Sequence, residues 1–351
     1  MSVGPADPAV PADPAVPAVP AEPRRGRRLR TALLAVVLAG LTGAAGSVPA
    51  GAAPAGPKPE PGRGSAGVVV DRPVRTTGCG TASPYTPGTS TEAHLNSGGT
   101  DRSYLIHVPA DYHPRRATPV VLSFHGHKRT SAYQERLTVM SGLPAVVVYP
   151  QGVTGTDGES AWQGAPYSAP VDDVLFTSDL ISLLQRRLCV DARRVYATGK
   201  SNGGGFVGVL ACRMPGRIAA FAPVSGAFYP QGGACEPARP APVIDFHGTA
   251  DTTIPYTGVP AKGLPPLPSW LADWARRDGC RPAPTSRDLG DGVTRQRWHG
   301  CDGRSDLVHY RMGGLGHDWP STVPNEDSDT PAALDATPLI WRFFREHRLG
   351  A

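Results

Sequence analysis

Short, nearly continuous apolar runs recur along the chain after residue 100 and alternate with segments of helical periodicity. The runs predict strands covered on both faces at 119–124, 145–149, 195–198, 220–225, 242–247 and 307–312. Apolar positions spaced three or four residues apart predict helices over 173–188, around 206–210, over 269–278 and over 333–347. The segment 103–108 alternates, which is typical of an antiparallel edge strand. This alternation of strands and helices predicts an α/β fold: a mostly parallel central sheet with helices on both faces.

The first 75 residues have a different composition. Residues 2–23 are a Pro/Ala/Val/Asp tract, followed by a basic cluster at 24–30, an apolar run at 32–41 and the small residues A-G-A at 50–52. These are the features of a low-complexity leader plus secretory signal peptide over 1–52, cleaved after Ala52. Residues 53–75 predict a flexible Pro/Gly-rich leader, and residues 76–351 the folded domain. Paired arginines leave both the Sec and the twin-arginine export routes open.

Length and charge exclude two kinds of partner. The apolar run at 32–41 is shorter than the roughly 18 residues that a membrane span needs, so no stable membrane association is expected after cleavage. The net charge is +5, of which five arginines and three acidic residues in 1–52 account for +2. The remaining charge of about +3 is scattered, so we expect no nucleic-acid partner.

Six cysteines in an exported chain predict three disulfides. No C-x-x-C pair and no clustered Cys/His spacing is present, so no metal site is predicted. We expect Cys280 to pair with Cys301, because the two lie at either end of one segment that precedes the last predicted strand. The pairing of the other four is left open.

The candidate chemistry begins where the strand 195–198 runs into G-K-S-N-G at 199–203. Strand, G-x-S-x-G and helix together form the nucleophile elbow of an α/β-hydrolase, with Ser201 as the nucleophile. Gly199 and Gly203 lack the side chains that would collide with the neighbouring strand and helix at so sharp a turn. The N-terminus of the following helix points its N–H groups to where an oxyanion would form.

An elbow serine needs a base and an orienting acid, which in this fold follow it in the order Asp or Glu, then His. Asp251 follows the strand 242–247, and His317 follows the strand 307–312 in a Gly-rich loop. The alternatives are that Asp251 caps a turn and that His317 is an ordinary loop histidine. Asp245 and His247 lie inside a strand and are expected to serve packing or sheet hydrogen bonding.

The remaining site residues are predicted from their loops. The backbone N–H groups of Asn202 and His127 are the candidates for the oxyanion hole. The loop tryptophans Trp162 and Trp319 are candidates for contact with an acyl or aromatic group of the substrate, with covering of the core as the alternative. Asp172 and Asp173 open a helix and are expected to cap it. This chemistry requires no metal and no organic cofactor.

Six separated blocks also carry a family resemblance. They are F-H-G at 124–126, Y-P-Q-G at 149–152, V-D-D-V at 171–174, C-V-D-x-R-R-V-Y-A-T-G-x-S-N-G-G at 189–204, H-G-T-A-D at 247–251 and G-H-D-W-P at 316–320. Over residues 78 to 349 the chain resembles the secreted poly(3-hydroxybutyrate) depolymerase / feruloyl esterase group. The resemblance implies an α/β-hydrolase with Ser201, Asp251 and His317 as its triad. The chain departs from the group at His127, where a small residue or Cys is frequent, and at Lys200, where an apolar residue is more usual.

Together these observations predict a secreted serine carboxylic ester hydrolase that acts through an acyl-serine intermediate. Two substrate classes fit: hydroxycinnamoyl or acetyl esters of polysaccharide, and short 3-hydroxyalkanoate esters. The expected partner is therefore an ester substrate, either soluble or linked to a polymer. The alternatives are an exported non-catalytic binding protein on a hydrolase scaffold, and a serine peptidase.

Overall fold

A computed structural model describes residues 73–350 of the chain. The predicted signal peptide and residues 53–72 of the predicted leader lie outside the described residues. The strands are β1 Ser90–Ser97, β2 Thr100–His107, β3 Thr118–Phe124, β4 Val146–Pro150, β5 Val153–Thr154, β6 Ser160–Ala161, β7 Val190–Lys200, β8 Ala220–Val224, β9 Val243–Gly248, β10 Thr285–Gly290, β11 Val293–Trp298 and β12 Leu307–Met312. The helices are α1 Ser131–Thr138, α2 Asp173–Arg187, α3 Asn202–Arg213, α4 Leu267–Arg277 and α5 Ala336–Glu346.

Within residues 73–350, ten strands form one sheet in the order β1-β2-β4-β3-β7-β8-β9-β12-β11-β10. The strands from β4 across to β12 run parallel to one another. Antiparallel strands flank this parallel centre on both sides, β1 and β2 on one and β10 and β11 on the other. The mostly parallel sheet predicted from the apolar runs is confirmed. Because its central strands are parallel, their carboxyl ends lie on the same side of the sheet.

Helices cover both faces of the sheet, as predicted. Phe176 of α2, Phe206 of α3 and Leu271 of α4 belong to one buried cluster with the strand residues on one face. Leu137 of α1 and Phe344 of α5 are buried in a second cluster against the opposite face. Both faces of the central strands are therefore withdrawn from water, which is why those strands consist of continuous apolar runs. None of the helices described is both long and apolar enough to cross a membrane.

The sheet extends beyond the strands that the sequence predicts. The segment 103–108 was expected to be an edge strand, but β2 lies between β1 and β4, and β1 forms the edge. At the other edge, all six residues of β10 are exposed, and backbone pairing with β11 holds the strand in place. Because both faces of β10 are exposed, this strand carries no alternation of apolar and polar residues from which it could be predicted.

Three disulfides close the described domain. They join Cys79 to Cys189, Cys212 to Cys235 and Cys280 to Cys301. The expected number of disulfides and the expected pairing of Cys280 with Cys301 are both confirmed. Three disulfides are typical of a protein that folds in an oxidising compartment outside the cytosol.

Candidate active site

Ser201 stands between β7 and α3 in a strained backbone conformation. Its φ is 57° and its ψ is −120°, a region that non-glycine residues rarely adopt. The Ser201 N–H donates to the Val224 carbonyl at 3.0 Å, and the Ser201 carbonyl accepts from the N–H groups of Gly205 and Ala227, each at 2.9 Å. Such strain costs on the order of 1–3 kcal/mol and persists only where the surrounding structure holds it. The local geometry is therefore that of a nucleophile elbow.

The two glycines of the G-x-S-x-G motif lie against backbone. A Cβ on Gly199 would lie 2.6 Å from the Gly203 carbonyl oxygen, and a Cβ on Gly203 would lie 2.3 Å from the Phe124 carbonyl oxygen. Both contacts are shorter than real Cβ atoms show. The absence of side chains lets β3, β7 and α3 meet at the elbow.

Asp251 and His317 are in direct contact. They follow β9 and β12, which are parallel neighbours in the sheet, and His317 Nδ1 lies 2.7 Å from Asp251 Oδ2. Asp251 Oδ1 accepts from the N–H groups of Thr253 and Ile254 at 2.9 and 2.8 Å. Burial would raise the pKa of Asp251, but hydrogen bonds from His247 and His317 outweigh it and hold this pKa well below its ordinary value. Asp251 is thus a buried carboxylate that orients the imidazole of His317.

The loop that carries His317 lies across the strand ends beside the elbow. Ser225, directly after β8, donates from its hydroxyl to the Asp318 carbonyl at 3.3 Å. Strand β8 is the neighbour of β7, at whose end Ser201 lies. Within the described residues no hydrogen bond joins the Ser201 hydroxyl to the His317 imidazole, and catalytic hydrogen bonds are commonly longer before a substrate binds. The structure therefore pairs Asp251 with His317 and places Ser201 at a nearby strand end.

A second imidazole reaches the same carboxylate. His247 is buried in β9, and its Nε2 lies 2.8 Å from the Ile254 carbonyl oxygen and 3.3 Å from Asp251 Oδ2. A carbonyl can only accept, so Nε2 carries the proton and donates. The sequence predicts packing or sheet hydrogen bonding for His247, but it did not predict the contact with Asp251. The spacing of four residues across a strand end was the available signal in the H-G-T-A-D block.

Behind this pair lies a further buried Asp–His contact. His309 Nδ1 is 2.7 Å from Asp245 Oδ2, and both side chains are completely buried. The other ring nitrogen of His309 lies 3.0 Å from the Tyr256 hydroxyl. Asp245 therefore takes part in hydrogen bonding between β9 and β12, in line with the role predicted for it.

The loop after β3 is held from both sides by a buried histidine. His125 Nδ1–H donates to the Gly126 carbonyl at 2.7 Å, and His125 Nε2 accepts from the Gly152 N–H at 2.9 Å. Burial lowers the pKa of His125 to about 4, so the ring is neutral at physiological pH. The F-H-G and Y-P-Q-G blocks thus pack on each other and fix the backbone that leads to His127.

The two predicted oxyanion donors lie in different elements, Asn202 in α3 and His127 in the loop after β3. Asn202 is the first residue of α3, so its N–H has no acceptor within the helix. The His127 ring stacks on Tyr167 at 4.0 Å, and its Nε2 is 2.9 Å from Asp157 Oδ2. In the described chain neither backbone N–H donates a hydrogen bond to another protein group. Neither N–H group is therefore committed to an acceptor within the described residues.

The structure corrects the predicted role of the two loop tryptophans. Trp162 is fully buried between Phe206 and Phe124, and its indole N–H donates to the His125 carbonyl at 3.0 Å. Trp319 is 2% exposed. Its indole N–H donates to the Thr337 hydroxyl at 3.2 Å. Neither indole presents a face to a substrate, because each ring and each N–H is used within the core.

A cleft of about 610 Å³ opens beside the loop of His127. Tyr167 and Tyr229 both line it, and their rings meet edge to face with centroids 6.1 Å apart. Tyr229 lies two residues beyond Ala227, whose N–H is bonded to Ser201. Unlike Trp162 and Trp319, these two rings are only half-buried and line a cleft.

The paired aspartates that open α2 have separate roles. Asp172 caps the helix as predicted, accepting from the Leu175 N–H at 2.8 Å. Asp173 instead forms a buried ion pair with Arg102 at 2.7 Å and accepts from the Gln163 N–H at 2.7 Å. Asp173 thereby anchors the segment next to Trp162 to β2.

The acidic and imidazole side chains of the site contact one another. In residues 73–350 no group of three or more His, Cys, Asp or Glu side chains is placed to hold a metal ion. Asp251 Oδ2 contacts the imidazole nitrogens of His247 and His317, and Asp245 Oδ2 contacts that of His309.

The chain is similar to proteins that are named esterases. A scan against protein-family models finds no match. The chain is 28% identical over 230 residues to feruloyl esterase B of Piromyces equi, and 29% identical over 245 residues to a bifunctional acetylxylan esterase/xylanase of Neocallimastix patriciarum. The matches cover 62% and 65% of this chain but 42% and 32% of those proteins, so the chain spans less than half the length of these relatives.

A solved structure places the fold. The acetyl xylan esterase from Aspergillus awamori superposes with a TM-score of 0.54 at 15% identity, covering 74% of this chain and 99% of that one. With the ten-stranded, mostly parallel sheet and helices on both faces, this likeness shows that the chain has the α/β-hydrolase fold.

Proposed function

We propose that this protein is a serine carboxylic ester hydrolase in which Ser201, Asp251 and His317 form the triad. The observation that carries the proposal is the hydrogen bond of 2.7 Å between His317 and the buried Asp251, on the loops after two neighbouring strands. A carboxylate in that position fixes the imidazole with Nδ1 protonated, so that Nε2 is left to accept a proton. The strained Ser201 elbow supplies the group from which that proton would come.

The proposed reaction proceeds through an acyl-enzyme. His317 Nε2 takes the proton from the Ser201 hydroxyl as Ser201 Oγ forms a bond to the ester carbonyl carbon, and the carbonyl electron pair moves to the oxygen. The N–H groups of Asn202 and His127 bind that oxyanion. The intermediate collapses with cleavage of the bond to the alcohol oxygen, which takes the proton from His317. Water then attacks the acyl carbon as His317 takes its proton; the bond to Ser201 Oγ breaks, the acid leaves, and Ser201 Oγ takes the proton back from His317.

The relatives support esters of polysaccharide as the substrate class. Their names describe a feruloyl esterase and an acetylxylan esterase/xylanase. We therefore propose hydroxycinnamoyl or acetyl esters on polysaccharide, with the cleft between Tyr167 and Tyr229 to receive the larger group. Action on 3-hydroxyalkanoate esters stays a prediction from the sequence. The three disulfides support the proposal that the signal peptide exports the protein.

The test compares the purified protein with Ser201→Ala and His317→Ala on p-nitrophenyl acetate, methyl ferulate and a peptide amide. Loss of either triad member is expected to lower kcat by a factor on the order of 10³ or more. Circular dichroism and the unfolding midpoint show whether each variant is folded. If folded wild type hydrolyses no ester faster than both variants do, the binding-protein alternative replaces the proposal. Amide hydrolysis that exceeds ester hydrolysis would favour the serine peptidase.

A further inference from the structure

A lysine is buried immediately before the nucleophile. Lys200 ends β7, and its side chain is 9% exposed. Its Nζ lies 2.7 Å from Oδ1 of Asp327, whose side chain is 3% exposed. Burial lowers the pKa of Lys200, while the charges of Asp327 and Asp318 oppose that change. The triad itself makes no use of this ion pair.

Asp327 also forms several hydrogen bonds that hold the loop carrying His317. Its Oδ2 accepts from the Trp319 N–H at 2.9 Å, two residues beyond His317. Its Oδ1 accepts from the Tyr133 hydroxyl of α1 at 2.6 Å. The Asn325 side chain closes the turn, since its Nδ2 donates to the Trp319 carbonyl at 2.9 Å and its Oδ1 accepts from the Asp327 N–H at 2.8 Å.

Stability alone does not account for two buried charges at this place. Desolvation of both groups offsets most of their attraction, so replacing a buried ion pair by apolar groups of similar size is often neutral or stabilising. The pair does join two segments 127 residues apart, the elbow and the loop of the base. It therefore sets the position of one segment relative to the other, because each charge is satisfied only when the two segments meet.

We propose that Lys200 and Asp327 are positioning residues that hold the loop of His317 over the Ser201 elbow. The inference rests on the proposed function, because His317 is the base only if the triad is correct. Neither residue touches the reacting atoms in this proposal. Lys200 acts through Asp327 on the Trp319 backbone, and so on the placement of the imidazole two residues earlier.

The decisive variant is the double substitution Lys200→Met with Asp327→Asn. It removes both charges at once, and the new amide side chain retains an oxygen for the Trp319 N–H, so the domain is expected to fold with nearly unchanged stability. Hydrogen exchange of the amides in 315–328 is expected to accelerate by about tenfold or more, because the loop opens locally more often. With p-nitrophenyl acetate, kcat is expected to fall by about ten- to a hundredfold and KM by less than about twofold, as misplacement of a catalytic group predicts.

Glu326→Gln is the matched control. Glu326 lies next to Asp327 in the same loop and also pairs with α1, through Arg136 at 3.1 Å, but the pair is exposed. An exposed pair contributes about 0–1 kcal/mol, so this variant is expected to keep wild-type exchange and kcat. Lys200→Met alone leaves an unpaired buried carboxylate and is the more disruptive change, which is why the double variant decides.

Each outcome has one meaning. A folded double variant with a loosened loop and a reduced kcat supports the proposal. Wild-type exchange in 315–328 overturns it, and so does a loosened loop with unchanged kcat. If the double variant does not fold, the same two measurements are made on Tyr133→Phe, which removes the hydroxyl contacts with Asp327 Oδ1 and with the Glu326 carbonyl but keeps both charges. Wild type that hydrolyses no ester defeats the proposed function instead, and hydrogen exchange then still shows whether the ion pair orders the loop.

Discussion

Gly203→Ala tests the elbow with a single methyl group. Gly203 is the second residue of α3, and alanine is the better helix former there by about 1 kcal/mol. Propensity alone therefore predicts a more stable protein. The added Cβ would, however, lie 2.3 Å from the Phe124 carbonyl oxygen and 2.5 Å from the His125 carbonyl oxygen. Real Cβ atoms essentially never approach closer than 3.0 Å, so the backbones must separate by at least 0.7 Å, the difference between 3.0 and 2.3 Å.

The overlap is expected to outweigh the gain in propensity. Phe124 cannot yield, because it is completely buried and packs edge-on against Trp162 and Phe206. Overpacking of this kind costs about 1–3 kcal/mol, so we expect a net loss of unfolding free energy of up to about 2 kcal/mol. The displaced backbone also leads directly to His127. Loss of one oxyanion donor lowers kcat by a factor of about 10² to 10³, and we expect a fall near the lower value.

The assay is kcat with p-nitrophenyl acetate together with urea unfolding, on Gly203→Ala and on the control Gly216→Ala. A Cβ on Gly216 meets nothing within 4 Å, so the control adds a methyl group without an overlap. Equal kcat and equal unfolding free energy in the two variants would refute the reasoning. A loss of stability with an unchanged kcat would show that the loop of His127 does not supply the oxyanion donor.

Two further predictions concern stability. Burial raises the pKa of Asp278 to about 6. Between about pH 4 and 6 the native state therefore keeps a proton on Asp278 that the unfolded state has released. The free energy of unfolding consequently falls as the pH rises through that range. Asp278→Asn should remove this pH-dependent contribution to the unfolding free energy, which is at most about 3 kcal/mol. The unfolding midpoint of the variant should then depend less on pH than that of wild type. Cys280→Ser with Cys301→Ser opens a loop with a sequence separation of 21 residues and should cost about 3 kcal/mol in urea unfolding, with no loss of kcat in the folded fraction. A pH-independent offset between the Asp278 variant and wild type, or unchanged urea unfolding without the disulfide, would contradict these two expectations.

Local patterns in the sequence were sufficient for the centre of the fold. The runs at 119–124 and 195–198 predict strands because a strand buried on both faces must be apolar at every position. The elbow is also local, since strand, G-x-S-x-G and helix adjoin in the chain. The positions of Asp251 and His317 followed from chain order and from the strands that precede them. Their contact agrees with that prediction, whereas their catalytic role stays a proposal.

Only the tertiary structure decided which distant groups meet. Strand β10 has no apolar pattern, because all six of its residues are exposed and it is held by backbone pairing with β11, which any side chain permits. In β1 every second residue faces inward, but only Ala93 and Leu95 of these are apolar. Trp162 and Trp319 lie in loops, and whether a loop ring faces the core or the cleft depends on packing that no local pattern records. The second imidazole on Asp251 and the ion pair of Lys200 with Asp327 likewise arise from strand order and loop packing. Local sequence patterns determine turns and the burial of central strands directly, but the burial of loop side chains and the contacts between remote residues depend on the whole fold at once.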